Sequence, residues 1–128
     1  MTQPQPRPPR ITGVRHFFAA MGYSLSGARR LWAEDAFRQE MIGGVSMLIV
    51  LALLDASGAE FAAFGALFAI LVAVEALNTA LECVVDHLSP DWSEFARDAK
   101  DLGSLAVMCV LLAHGVLLAH VAWGAFFG

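Results

Sequence analysis

The sequence predicts an all-α membrane protein, with an N-terminal amphipathic helix on the bilayer surface and three spanning helices behind it. Three observations carry that expectation. Of 128 residues, 58% are hydrophobic and 16% charged, where an ordinary soluble domain carries about 25% charge. Three long segments, Met41–Leu54, Phe61–Val74 and Leu102–Gly128, hold no acid, lysine or arginine. All eight Lys and Arg lie either before the first segment or between the second and third.

Residues 1–10 contain four of the five prolines and no apolar core of the kind a signal peptide needs. They read as a disordered tail, because they can bury almost nothing. Residues 11–128 read as one membrane domain.

The surface helix is expected over about 11–32. Ile11, Val14, Phe18, Met21, Leu25, Ala28 and Trp32 recur in steps of three and four, which is one apolar stripe on a helix. Arg15, His16, Ser24, Ser26, Arg29 and Arg30 lie between them. Such a helix suits a membrane surface, with its arginines near lipid phosphates. A soluble amphipathic helix packed on a core has the same pattern, and Gly22 and Gly27 allow a break.

The spans are expected at about 37–54, 61–86 and 102–126. A span needs about 20 residues, so the first two uncharged cores are short alone. Arg38, Gln39 and Glu40 extend the first, since long polar side chains snorkel. Residues 61–86 extend the second to about 39 Å of helix. Basic residues mark the cytoplasmic side. The N-terminus and the Asp86–Lys100 connection therefore face the cytoplasm, and the Asp55–Glu60 turn and the C-terminus face outward. Trp123 fits an outer aromatic anchor, and Gly43-Gly44 fits close helix packing.

The second span carries the chemistry. Glu75, Asn78, Glu82 and Asp86 fall at offsets of zero, three, seven and eleven, so one helix face is lined with oxygen ligands. A charged side chain at lipid depth is costly, ~2.5–3.5 kcal/mol on insertion scales. If the hydrocarbon begins near Phe61 and is about 30 Å thick, it ends near Ala80. Glu75 then lies inside it and Glu82 just outside. One carboxylate can meet the head of a lipid-soluble molecule while the other meets a water-soluble one. Mg²⁺ takes oxygen ligands, often one or two carboxylates plus substrate phosphates. Glu34 and Glu40 open the first span at the same membrane edge, and Lys100-Asp101 opens the third. A lysine among carboxylates suits phosphate.

Several classes are excluded or weakened. A net charge of -4 is not a nucleic-acid footprint. Neither a Walker A sequence nor GxGxxG is present. Cys83 and Cys109 read as packed core thiols, the usual state of free cysteine. His114 and His120 read as interhelical or interfacial. Glu75 could instead be a structural residue bonded between helices, and Glu82 and Asp86 plain interfacial charges. A non-enzymatic ion or proton pathway would need polar residues through the whole bilayer, and Phe61–Val74 has none.

At these residues the chain resembles the bacterial integral-membrane diacylglycerol kinase family. Glu75-Ala76-Leu77-Asn78-Thr79-Ala80-Leu81-Glu82, followed by Val84-Val85-Asp86, resembles its hallmark helix. Ala36-Phe37-Arg38-Gln39-Glu40 resembles the opening of its first span, and Ala99-Lys100-Asp101-Leu102-Gly103-Ser104 that of its third. Gly22-Tyr23-Ser24 resembles a motif on its surface helix. The resemblance runs from about Val14 to the C-terminus, with four motifs in order.

The resemblance implies a homotrimer in the bacterial inner membrane that phosphorylates a lipid hydroxyl with Mg²⁺ and ATP. It implies Glu75 as general base, with Asn78 assisting at the hydroxyl, and Glu34 and Glu82 as ligands of Mg²⁺ beside the ATP phosphates. Tyr23, Asp86, Asp91, Trp92, Ser93, Lys100 and Asp101 would contact nucleotide. Ser24, Glu40 and Ser104 would lie near the lipid. Either Arg15 or His16 stands where the family often places a nucleotide-contacting arginine. Asp35 follows Glu34 where a small residue is usual, and His87 and Pro90 alter the nucleotide-side loop. Diacylglycerol is the expected substrate, with undecaprenol the alternative within the family; Ala99–Ser104 is more similar to the diacylglycerol-using branch.

Overall fold

The computed structural model describes residues 12–128 as four helices: α1 (Val14–Trp32), α2 (Asp35–Leu53), α3 (Gly58–Leu88) and α4 (Glu94–Phe127). The proline-rich tail expected at 1–10, and Ile11 of the apolar stripe, lie outside the described residues. α2, α3 and α4 are each long and apolar enough to cross a membrane.

α1 runs without a break through Gly22 and Gly27. Apart from an edge-on contact of Trp32 with Phe37 of α2, its stripe does not pack on the rest of the described residues. Val14, Phe18, Met21, Leu25 and Trp32 are all exposed, and the residue α1 buries is Leu31, outside the stripe. Packing on this chain's own core is therefore not what the stripe is for.

α1 turns into α2 through Ala33 and Glu34. The Arg38 guanidinium donates to the carbonyls of Trp32 (3.2 Å) and Ala33 (3.4 Å) and pairs with Asp35. It thereby occupies carbonyls that the end of α1 leaves free, with a cation at the negative end of the helix dipole. This fixes the corner that places Glu34.

The α2–α3 turn contains Asp55 at φ 54°, a left-handed position that Asp tolerates better than most residues. α3 opens on a capping box. The Ser57 backbone N–H donates to Glu60 Oε2 at 2.7 Å and the Glu60 N–H to Ser57 Oγ at 3.4 Å. With 31 residues α3 is about 46 Å long.

α4 begins at Glu94, eight residues before the span expected at 102, and has 34 residues. The Ser93 hydroxyl caps it by accepting the Ala96 N–H at 3.2 Å, and Glu94 places an acid in the first turn. The charged 94–101 stretch is thus helix, not loop, and carries Lys100 and Asp101 on a rigid element.

α3 and α4 pack along each other, and α2 leans on α3. Near the α2–α3 turn, Leu51, Phe64 and Val121 are buried together, with Phe68 and Leu117 against them. Gly44 of α2 lies so close to the Phe68 ring that a Cβ would not fit, whereas Gly43 faces open space. The chain covers little more of itself than this. Ile42, Val45, Leu105, Leu112 and Val116 are exposed large apolar groups on the crossing helices, surface that suits lipid or further protein rather than water. The same shortage of interior overturns one expectation: Cys83 and Cys109 are exposed, not core thiols. Trp123 is exposed at the far end of α4, its ring 4.7 Å from that of Phe127.

Candidate active site

Three helices meet at one cavity, and two of them bring carboxylates to it. Its volume is about 230 Å³, and it is lined by Glu34 and Glu40 from the start of α2, Glu75, Asn78 and Glu82 from α3, and Ser104 from α4. The α3 residues share it because their spacing keeps them on one helix face. The α2 residues reach it because Arg38 sets the α1–α2 corner. Ser104 reaches it because Gly103 lets α4 approach, its missing side chain making way for the Asn78 Oδ1.

Within the cavity, Glu75 is 4% exposed. Asn78 Nδ2 donates to Glu82 Oε1 at 3.2 Å, orienting that carboxylate. Glu34 is held by an ion pair with Arg30, one turn back on α1. That hydrogen bond and the Glu34 charge raise the pKa of Arg30 above its ordinary value, so it stays a cation. Glu40 Oε2 and Asn78 Oδ1 are buried without a hydrogen-bond partner. Unsatisfied buried oxygens are uncommon and call for an explanation, and both of these belong to a cavity rich in acids.

The cavity opens into an apolar groove of about 450 Å³ that shares Ala36, Glu40, Ser104 and Val107 with it. The groove continues along Gly44, Met47 and Phe68 to His114. A third space, about 360 Å³, lies beyond the acidic end, between the α3–α4 loop and the first turns of α4. Asp86, Asp91, Trp92, Ser93, Lys100 and Asp101 all line it. Lys100 Nζ meets Asp86 Oδ1 there at 2.6 Å.

The expected site residues therefore divide. Glu34, Glu40, Glu75, Asn78, Glu82 and Ser104 meet in one place. Asp86 shares their face of α3 but stands a turn further out, facing Lys100 with the loop residues. Tyr23 and Ser24 join neither group: Tyr23 is exposed and Ser24 Oγ donates to Ala20 O at 3.1 Å on its own helix. Three contributors escaped the sequence reading. Thr79 is buried in the acidic cavity, Arg97 lines the loop space, and Gly103 seats Asn78. Thr79 was readable, standing four residues after Glu75. Gly103 was not, since its partner is on another helix.

Among the described residues no three His, Cys, Asp or Glu side chains converge as a ready-made metal cage. Glu34 and Glu82 both line the open acidic cavity. That matches a hard cation bound by one or two carboxylates and completed by substrate phosphates, so the residues fit Mg²⁺.

The family model described as prokaryotic diacylglycerol kinase matches residues 22–122. A Sinorhizobium protein named diacylglycerol kinase is 46% identical over 110 residues, covering 86% of this chain and 80% of that protein. The diacylglycerol kinase of Pseudomonas aeruginosa is 36% identical over 114 residues, covering 88% and 93%. That of Escherichia coli K12 is 31% identical over 116 residues, covering 90% and 95%.

Proposed function

The chain belongs to the prokaryotic diacylglycerol kinase family, and from that premise we propose that it transfers the γ-phosphoryl group of ATP to the hydroxyl of diacylglycerol, giving phosphatidic acid. It is a lipid kinase, and its family implies ATP as co-substrate. One observation carries the assignment of the site. A buried glutamate, Glu75, lines an acidic cavity that shares four lining residues with an apolar groove, so a lipid head and a nucleotide phosphate can be met in one cavity.

Glu75 is the general base. It takes the proton of the lipid hydroxyl as that oxygen bonds the γ-phosphorus and the bond to the β,γ-bridging oxygen breaks, ADP leaving. Such transfer needs positioning and charge neutralisation and no covalent intermediate, and a positioned base contributes about 10²–10⁴-fold. Asn78 orients Glu82 and supplies an amide beside the hydroxyl. Glu34 and Glu82 are the residues that would hold Mg²⁺, which would neutralise phosphate charge. Lys100 and Asp101, with Asp86, Asp91, Trp92 and Ser93, form the nucleotide side. Glu40 and Ser104, at the junction of cavity and groove, meet the lipid head.

α1 is the surface helix, its exposed stripe in lipid. The protein is a homotrimer in the inner membrane, N-terminus cytoplasmic. Tyr23 (nucleotide) and Ser24 (lipid) complete a neighbour's site, a role supported by their lining none of the three spaces described above. The test is a radiolabelled-ATP assay in detergent that offers diacylglycerol, undecaprenol and ceramide side by side. Diacylglycerol should be phosphorylated fastest; faster labelling of undecaprenol would overturn the substrate assignment.

A further inference from the structure

The end of the apolar groove away from the carboxylates is an imidazole. His114 stands ten residues along α4 from Ser104, about 15 Å. It is 8% exposed. Its Nδ1 donates to the Val110 carbonyl at 2.8 Å, since a carbonyl only accepts. Its ring stands edge-on to Phe64 and Phe68, with centroids 5.8 and 6.4 Å away. Its Nε2 is buried without a partner. The hydrogen bond and the two phenyl rings hold the imidazole still. Behind it Phe64 joins the buried core with Leu51 and Val121.

We propose that His114 is the stop of the acyl-chain groove, a specificity-determining residue that sets how much of the substrate's tail the protein holds. The proposal rests on the lipid-kinase reading above. Continuity names the occupant. The groove shares four lining residues with the acidic cavity, so a lipid whose hydroxyl lies at Glu75 sends its tail in past Glu40 and Ser104. The tail then runs along Gly44 and Met47. At the fixed ring it must leave sideways into the bilayer, and methylenes beyond that point gain nothing from the protein.

The test measures kcat/KM of the intact protein with Mg-ATP on dioctanoyl-, dilauroyl-, dimyristoyl- and dipalmitoylglycerol in mixed micelles at fixed mole fraction. Wild-type kcat/KM should rise with chain length and then level off. His114→Ala should move the levelling point to longer chains, raising the dipalmitoyl-to-dilauroyl ratio about threefold or more over wild type, because extra methylenes then find apolar wall. His114→Phe should keep the wild-type ratio. Should His114→Ala fail to fold, His114→Trp must shift the levelling point to shorter chains. An unchanged ratio in active His114→Ala or His114→Trp, or a uniform loss on every chain length, would overturn the stop alone. Wild-type inactivity on all four lipids would sink the lipid-kinase reading and the stop with it.

Discussion

At the scale of single residues, Glu75 and Glu82 differ in surroundings more than in chemistry. Glu75 is buried, whereas Glu82, two turns nearer the α3–α4 loop, is half-buried and accepts from Asn78. As a cation ligand Glu82 should be dispensable for folding and not for metal. Glu82→Gln is therefore expected to raise the Mg²⁺ concentration for half-maximal activity several-fold at fixed ATP, since it removes one ligand charge. A Mg²⁺ titration that overlays the wild type would remove Glu82 from the metal site. The grouping of Glu75, Asn78 and Glu82 was legible in the sequence because a helix fixes which residues share a face. Where along the axis the cavity ends was not legible. Asp86 lies on the same face and is drawn to Lys100, a partner that only the packing of α4 supplies.

At the scale of elements, the site depends on two close approaches that leave no trace in spacing. One is the Arg38 corner between α1 and α2. The other is Gly103 against Asn78, where a Cβ would collide with the amide oxygen. Gly103→Ala should displace Asn78, and with it Glu82, lowering turnover about tenfold or more while the protein still folds; positioning errors of this size have such effects. Turnover within twofold of wild type would mean that the approach is not needed. The three long helices were legible from hydropathy and the apolar stripe of α1 from its period. The start of α4 was hidden, because charge at 94–101 resembles a loop and the cap that makes it helical is one serine. The stripe's period also could not show which residue faces the chain, and that residue is Leu31.

At the scale of the whole molecule, the orientation proposed from where Arg and Lys lie is tested by labelling. The two native thiols are exposed, so a labelling experiment needs them replaced first. On that background Gly58→Cys should react with an impermeant thiol reagent from outside intact cells, and Ser93→Cys only after the inner membrane is opened. The reverse pattern would invert the topology. Assembly is tested by mixing. If a site takes Tyr23 from a neighbouring chain, Glu75→Gln and Tyr23→Ala, each impaired alone, should regain partial activity when co-assembled, whereas Glu75→Gln with Glu34→Gln, which line one cavity of one chain, should not. No recovery for the Tyr23 pair in well-mixed assemblies would place Tyr23 in its own chain's site or outside any site, and recovery for the Glu34 pair would place Glu34 and Glu75 of a site on different chains. The central claim, that this chain phosphorylates a lipid at the cavity around Glu75, is tested most directly by one comparison. Purified wild type and Glu75→Gln, shown by gel filtration to share one assembly state, are given radiolabelled ATP, Mg²⁺ and diacylglycerol, and labelled phosphatidic acid is measured. Wild type should make it and Glu75→Gln should make at least about a hundredfold less; a variant keeping more than about a tenth of wild-type turnover would contradict the claim.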